Sequence, residues 1–223
     1  MDFAVGPPPN ALWAGVDVGG PRKGFHVAVI DRRRLVDVRR IVAPAAVAAW
    51  LGALRPDLVA VDSPATAAPA GEKSRPDERA FRAAGICGIR YTPDHATIAG
   101  PRPNGDDFYG WIRNGCSVYE ALAAAGLPTV ECFPTASWTR WGGPRGERGR
   151  GAWSAAVLRA LPLEGLPARL DQDRRDAIGA ALTARAEAES RTQRFGDIVV
   201  PSAPAHGAIE VTQAGPAGVG FGG

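Results

Sequence analysis

Residues 12–41 read LWAGVDVGGPRKGFHVAVIDRRRLVDVRRI, and this stretch decides the fold. Leu12 to Asp17 is a short apolar run that stops at Gly19 and Gly20, which predicts a buried strand. Gly24 to Asp31 and Leu35 to Ile41 alternate apolar and polar residues around an Asp-Arg-Arg turn, which is hairpin patterning. Three strands therefore open the chain. Outward from them, an Ala-rich helix is expected over 43–54 with Pro44 at its start, followed by a strand over 58–62. Further helices are expected at 77–84, 108–125, 152–161 and 172–191, with a strand at 129–132. This order describes an α/β domain with a mixed central sheet, three antiparallel strands and then parallel strands, flanked by crossover helices. Residues 1–11 read as a loose leader, 12–200 as one domain and 201–223 as a Gly/Pro-rich tail. The stretch 63–107 is an irregular insert rich in Pro, Gly and charge, a kind of segment more often functional than idle.

A chain of 223 residues with 45% hydrophobic content buries one substantial core. The net charge of +3 is carried by Arg, since Lys stands only at positions 23 and 73. Arg forks suit phosphate and carboxylate, but an Arg-, Ala-, Gly- and Pro-rich chain also reflects genome bias, so charge alone adds little. Cys87, Cys116 and Cys132 are odd in number and sit in apolar context, which predicts reduced, buried thiols in a cytoplasmic protein. The start, MDFAVGPPPNALW, lacks a basic n-region, and no later window approaches the length of a membrane span, so no membrane partner is expected. His26 and His95 stand isolated, and no His/Cys cluster, nucleophile elbow or phosphate loop is present.

The chemistry lies in acidic residues that end apolar runs. Asp17 closes AGVD, Asp62 closes LVAVD, Glu131 lies in TVEC, and Asp173 and Asp176 open the last helix in DQDRRDAIGAALTA. Asp17 and Asp62 would end neighbouring strands and share the carboxyl edge, where open sheets place ligands. Asp173 and Asp176 are three apart and share a helix face. Hard cations such as Mg²⁺ or Mn²⁺ take oxygen ligands, and carboxylate-held ions activate water and stabilise the departing oxygen of a phosphodiester. Asp17, Asp62, Glu131, Asp173 and Asp176 are the candidate ligands. Each also has a plainer reading: Asp17 in a Gly-rich turn, Asp62 before Ser63-Pro64 as a turn starter, Asp173 favouring the helix dipole. Asp171 reads as the helix cap. Glu131 would face away from Val130 and Cys132 and could instead bond a backbone amide or an Arg. Lys23, Arg75, Arg79 and Arg82 are the expected phosphate or substrate contacts, with a solvated salt-bridged helix as the alternative. Tyr109, Trp111, Trp138 and Trp141 offer stacking surfaces for bases, although the spacing of Trp111 also suits the core.

Taken together, GVDVGGPRKG, VAVDSPAT, the Arg75 to Arg82 run, VECFPTASW and RRDAIGAALTA resemble the domain of unknown function 429 family, predicted nucleases with an RNase H-like, RuvC-like fold. The resemblance covers roughly residues 13–200. It implies the RNase H-like fold and a metal-dependent nuclease acting on DNA or RNA, with Asp17 bridging two ions and Asp62 and Asp176 each holding one. Two other readings stay open. One is a catalytically idle RNase H-like scaffold that binds nucleic acid or protein. The other is an ATP-dependent phosphotransferase of the actin-like or sugar kinase type, since GVDVGG also resembles their phosphate-binding turn.

Overall fold

The computed structural model describes residues 10–100 and 107–203, so the expected leader and tail lie almost wholly outside it. Three strands open the fold as expected: β1 (Trp13–Val18), β2 (Phe25–Ile30) and β3 (Leu35–Ile41). They are followed by α1 (Pro44–Leu54), β4 (Leu58–Asp62), α2 (Pro76–Ala83), α3 (His95–Ala99), α4 (Gly110–Ala124) and β5 (Thr129–Cys132). The remaining elements are α5 (Pro134–Gly142), α6 (Arg150–Ala160), α7 (Gln172–Ala188), β6 (Thr192–Phe195) and β7 (Ile198–Pro201). The seven strands form one sheet in the order β3-β2-β1-β4-β5-β7-β6. The β1-β2-β3 meander is antiparallel, and β4, β5 and β7 extend it in parallel from β1. This is the RNase H-like arrangement, completed at its far edge by the antiparallel β6-β7 hairpin.

Strand periodicity sorts the core into two layers. On one face Ala14, Val16, Phe25, Val27, Val59 and Val61 pack against Val47 and Leu51 of α1 and Val118 and Leu122 of α4. On the other face Trp13, Ala28, Ile30 and Ala60 pack against Ala177, Ala180, Ala181 and Ala184 of α7 and against Trp138 and Trp153. Asp17, His26 and Asp62 share the parity of this second set, so they point to the α7 face.

Helix α7 lies unusually close to the sheet, and Gly15 is the reason. A Cβ at this position would stand 2.1 Å from the Ala181 nitrogen and 2.2 Å from the Ala177 oxygen, inside the helix backbone itself. The small residues of α7 and the missing side chain of Gly15 thus set the height of the helix above β1. That height places its first turns over the ends of β1 and β4.

The structure adds four elements to the expected set: α3, α5, β6 and β7. Helix α5, PTASWTRWG, contains Thr, Trp and a terminal Gly, all weak helix formers, and it is held by burial of Ala136, Ser137 and Trp138. Strand β6, TQRF, buries only Phe195 and lacks an alternating apolar pattern. Within the insert, α2 is anchored by Phe81, whose ring meets Phe133 edge-on at 6.0 Å and Phe195 at 5.6 Å. The three cysteines form no disulfide; Cys132 is buried and Cys87 and Cys116 are half-buried. Among the described residues no helix is long and apolar enough to cross a membrane.

Candidate metal centre

The register of the sheet builds the site. Asp17 pairs with His26 across the antiparallel β1-β2 ladder and with Asp62 across the parallel β1-β4 ladder. Directly opposed residues on one face hold their Cβ atoms about 4.5–5.5 Å apart, so His26, Asp17 and Asp62 form a row across three strands. Helix α7 closes over this row. Its start is fixed by Asp171, whose side chain accepts a hydrogen bond from the Arg174 amide at 2.8 Å. Asp173 and Asp176 follow in the first turns.

His26, Asp17 and Asp173 each offer one ligand atom, and these atoms all lie within 4.8 Å of one another. His26 Nδ1 stands 3.7 Å from Asp17 Oδ2 and 3.8 Å from Asp173 Oδ2. Both separations exceed hydrogen-bond length, and Nδ1 has no hydrogen-bond partner among the described residues although His26 is buried. Lys23 Nζ donates to Asp173 Oδ1 at 2.7 Å. Asp176 is held more completely: Oδ1 accepts from Trp138 Nε1 and Gln172 Nε2, each at 2.9 Å, and Oδ2 accepts from Arg150 at 2.8 Å. Asp62 lies near enough to Asp17 and Asp176 to feel their charges, and Asp176 near enough to feel that of Asp173.

That mutual repulsion shows in the acidities. Burial lifts the Asp62 carboxyl well above the usual carboxylate range, and the charges of Asp17 and Asp176 add to the effect. Burial also raises Asp17, opposed by His26 and reinforced by Asp176 and Asp173. Asp176 is raised by burial, which Arg150, Trp138 and Gln172 offset in part. A carboxyl raised in the folded state favours folding least where only the unfolded chain has lost its proton. Its cost therefore appears as pH climbs past the unfolded value of about 4. Asp62→Asn, which removes that ionisation, is expected to be more stable than the parent at pH 7 in the presence of chelator, with the advantage shrinking as pH falls to about 4. Urea unfolding of both proteins across that pH range checks the sign, and an advantage that grows on acidification would refute it.

The other expected residues take different places. Glu131 faces away from Val130 and Cys132, which pack in the α7 layer. It accepts a hydrogen bond from the Ala65 amide at 2.8 Å and a bidentate fork from Arg75, whose Nη1 donates to Oε2 at 2.7 Å. Arg75 Nε also donates to Glu78 Oε1 at 3.2 Å, and Glu78 receives the Arg75 and Thr92 amides at 3.0 Å. All three side chains are buried. Burial alone would lower Arg75, but the paired carboxylates outweigh it and hold the guanidinium charged. Burial lifts the Glu131 carboxyl while the Arg75 fork opposes that. Arg79 is exposed and donates to Glu72 and Ser74, and Arg82 is exposed over the Tyr91 ring. Of the four expected phosphate contacts, only Lys23 touches the carboxylate cluster. Trp138 is core, with its N–H bound to Asp176; Trp111 lines a narrow cleft beside Asp62, Glu131 and Arg90.

Sequence reading missed His26, Gln172 and Arg150. Gln172 stands four residues before Asp176, a helical spacing that was legible. His26 is not isolated, contrary to expectation: the hairpin seats it beside Asp17. The residue spacing of the turn does not reveal that register. The donor set fits a divalent cation, because carboxylates suit Mg²⁺ and Mn²⁺ and an unpartnered imidazole nitrogen converges on them.

Neither a family model nor a curated protein sequence matches the chain, so the resemblance to the domain of unknown function 429 family gains no support there. Among solved structures, the chain is similar to that of Thermus thermophilus RuvC at 17% identity and a TM-score of 0.47, over 80% of this chain and 96% of that one. It is also similar to T. thermophilus RuvC in complex with Holliday junction substrate, at 16% identity and a TM-score of 0.45, over 79% and 94%. Likeness at this level leaves the fold assignment to the strand order and register.

Proposed function

We propose that this chain is a divalent-metal-dependent phosphodiesterase that hydrolyses nucleic acid. The observation that carries the reading is the row His26-Asp17-Asp62, at the carboxyl ends of β1 and β4 and the amino end of the antiparallel β2, capped by Asp173 and Asp176 of α7. Burying these acids together costs stability, as the raised pKa values of Asp17, Asp62 and Asp176 indicate, and such a cost persists where function needs it.

Asp17 holds the central position, with Asp62, Asp173 and Asp176 as further ligands. A bound divalent ion supplies Lewis-acid polarisation of the phosphoryl group and eases deprotonation of water. The protein's own groups do the rest. Lys23 and Arg150 stand half-exposed at the rim, Lys23 paired to Asp173 and Arg150 to the buried Asp176, and they offer positive charge to a substrate phosphate. Arg75 is a positioning residue that fixes Glu131 and, through the Ala65 amide, the chain that follows Asp62. Arg79 and Arg82, on the exposed side of α2, extend a basic surface for the nucleic-acid backbone.

The test is hydrolysis of end-labelled single- and double-stranded DNA and RNA in Mg²⁺ or Mn²⁺, with folded Asp17→Asn as control. Cleavage by the parent that the variant loses supports the reading. Nucleic-acid binding without cleavage under every metal would replace it with the idle scaffold.

A further inference from the structure

Among the described residues, His26 is a buried polar group that the fold leaves without a hydrogen-bond partner at Nδ1. It is 6% exposed, and two carboxylate oxygens from separate elements converge on that nitrogen. A buried polar atom left unpaired costs free energy, so its persistence calls for a partner. An imidazolium bridging two carboxylates would draw them to charge-assisted hydrogen-bond length, about 2.7–2.9 Å; here the separations are 3.7 and 3.8 Å. Those distances suit a shared ion instead, since bonds of about 2.1 Å allow two donor atoms to lie up to about 4.2 Å apart.

We propose that His26 Nδ1 is a direct ligand of the ion held by Asp17 and Asp173, and that this nitrogen makes the centre selective for a divalent transition metal over Mg²⁺. Mg²⁺ takes oxygen donors and gains little from imidazole, whereas affinity for nitrogen-containing sites rises from Mn²⁺ through Co²⁺ to Ni²⁺. A carboxylate-only centre lacks that bias. The position of His26 in β2 is fixed by the ladder to Asp17, so its ring is presented without a mobile loop.

The inference rests on the metal-centre premise of the proposed function but not on hydrolysis, and the experiment separates the two. Calorimetric titrations with Mg²⁺, Mn²⁺ and Ni²⁺ would be run on the parent and on His26→Phe, which keeps a planar ring and removes both nitrogens. Ni²⁺ affinity is expected to fall about 100-fold in the variant, with Mg²⁺ affinity changed less than about 3-fold. Pulsed electron paramagnetic resonance of the Mn²⁺-loaded parent, which needs no variant to fold, is expected to show coupling to an imidazole nitrogen. Absence of that coupling, or an unchanged ratio of Ni²⁺ to Mg²⁺ affinity in folded His26→Phe, overturns the inference. Failure of the parent to bind any of the three ions overturns both it and the metal-centre premise. Nitrogen coupling in a protein that cleaves no nucleic acid leaves His26 as a ligand and removes only the phosphodiesterase reading.

Discussion

Titration with Mn²⁺ is expected to give saturable binding that Asp17→Asn weakens by at least about 100-fold, since loss even of an outer-shell partner commonly costs 10–100-fold. Asp17 lies in the middle of the row, opposite both His26 and Asp62. Asn preserves its shape and removes its charge, so the comparison isolates the ligand from the packing. Asp176→Asn is expected to do less, because both of its oxygens already serve Trp138, Gln172 and Arg150. Calorimetry on the three proteins, with circular dichroism to establish folding, gives the ranking. Folded Asp17→Asn binding Mn²⁺ as tightly as the parent would move the centre elsewhere.

Arg75→Met is expected to destabilise the protein by about 3–5 kcal/mol, the usual cost of removing one partner from a buried ion pair. Arg75, Glu78 and Glu131 are each at most 5% exposed, so solvent screening does little to reduce the effect. Without the guanidinium, the fork that ties the start of α2 to β5 is lost, Glu131 retains only the Ala65 amide among its described partners, and Glu78 loses its bond from Arg75 Nε. The double variant Arg75→Met/Glu131→Gln is expected to recover part of the loss, because Glu131 is then no longer a stranded buried charge. Urea unfolding of the single and double variants measures the coupling. A folded Arg75→Met protein of parental stability but poor substrate affinity would instead make Arg75 a direct phosphate contact, as its place in a charged run first suggested.

Much of the architecture was legible because it follows from local periodicity. The boundaries of β4 and β5 coincide with the apolar runs LVAVD and TVEC, and the opening hairpin follows from alternation on either side of a turn. The losses came where local signal was weak: α5 is built of poor helix formers that only burial beneath the neighbouring layer stabilises, and β6 is a short edge strand. At the site, Asp171 was legible as a cap and Asp17 and Asp62 as strand-end acids, since both depend on position within a single element.

The sequence by itself determined the opening meander, α1, β4, α2, α4, β5, α6 and α7, and an edge where Asp17 and Asp62 end neighbouring strands. Only the tertiary structure decided which partners those acids meet. His26 joins Asp17 through a cross-strand register, Arg150 reaches Asp176 from α6, and Arg75 crosses 56 positions of sequence to grip Glu131. Periodicity is a property of neighbouring residues, whereas these pairings depend on how ladders align and how closely α7 settles over Gly15.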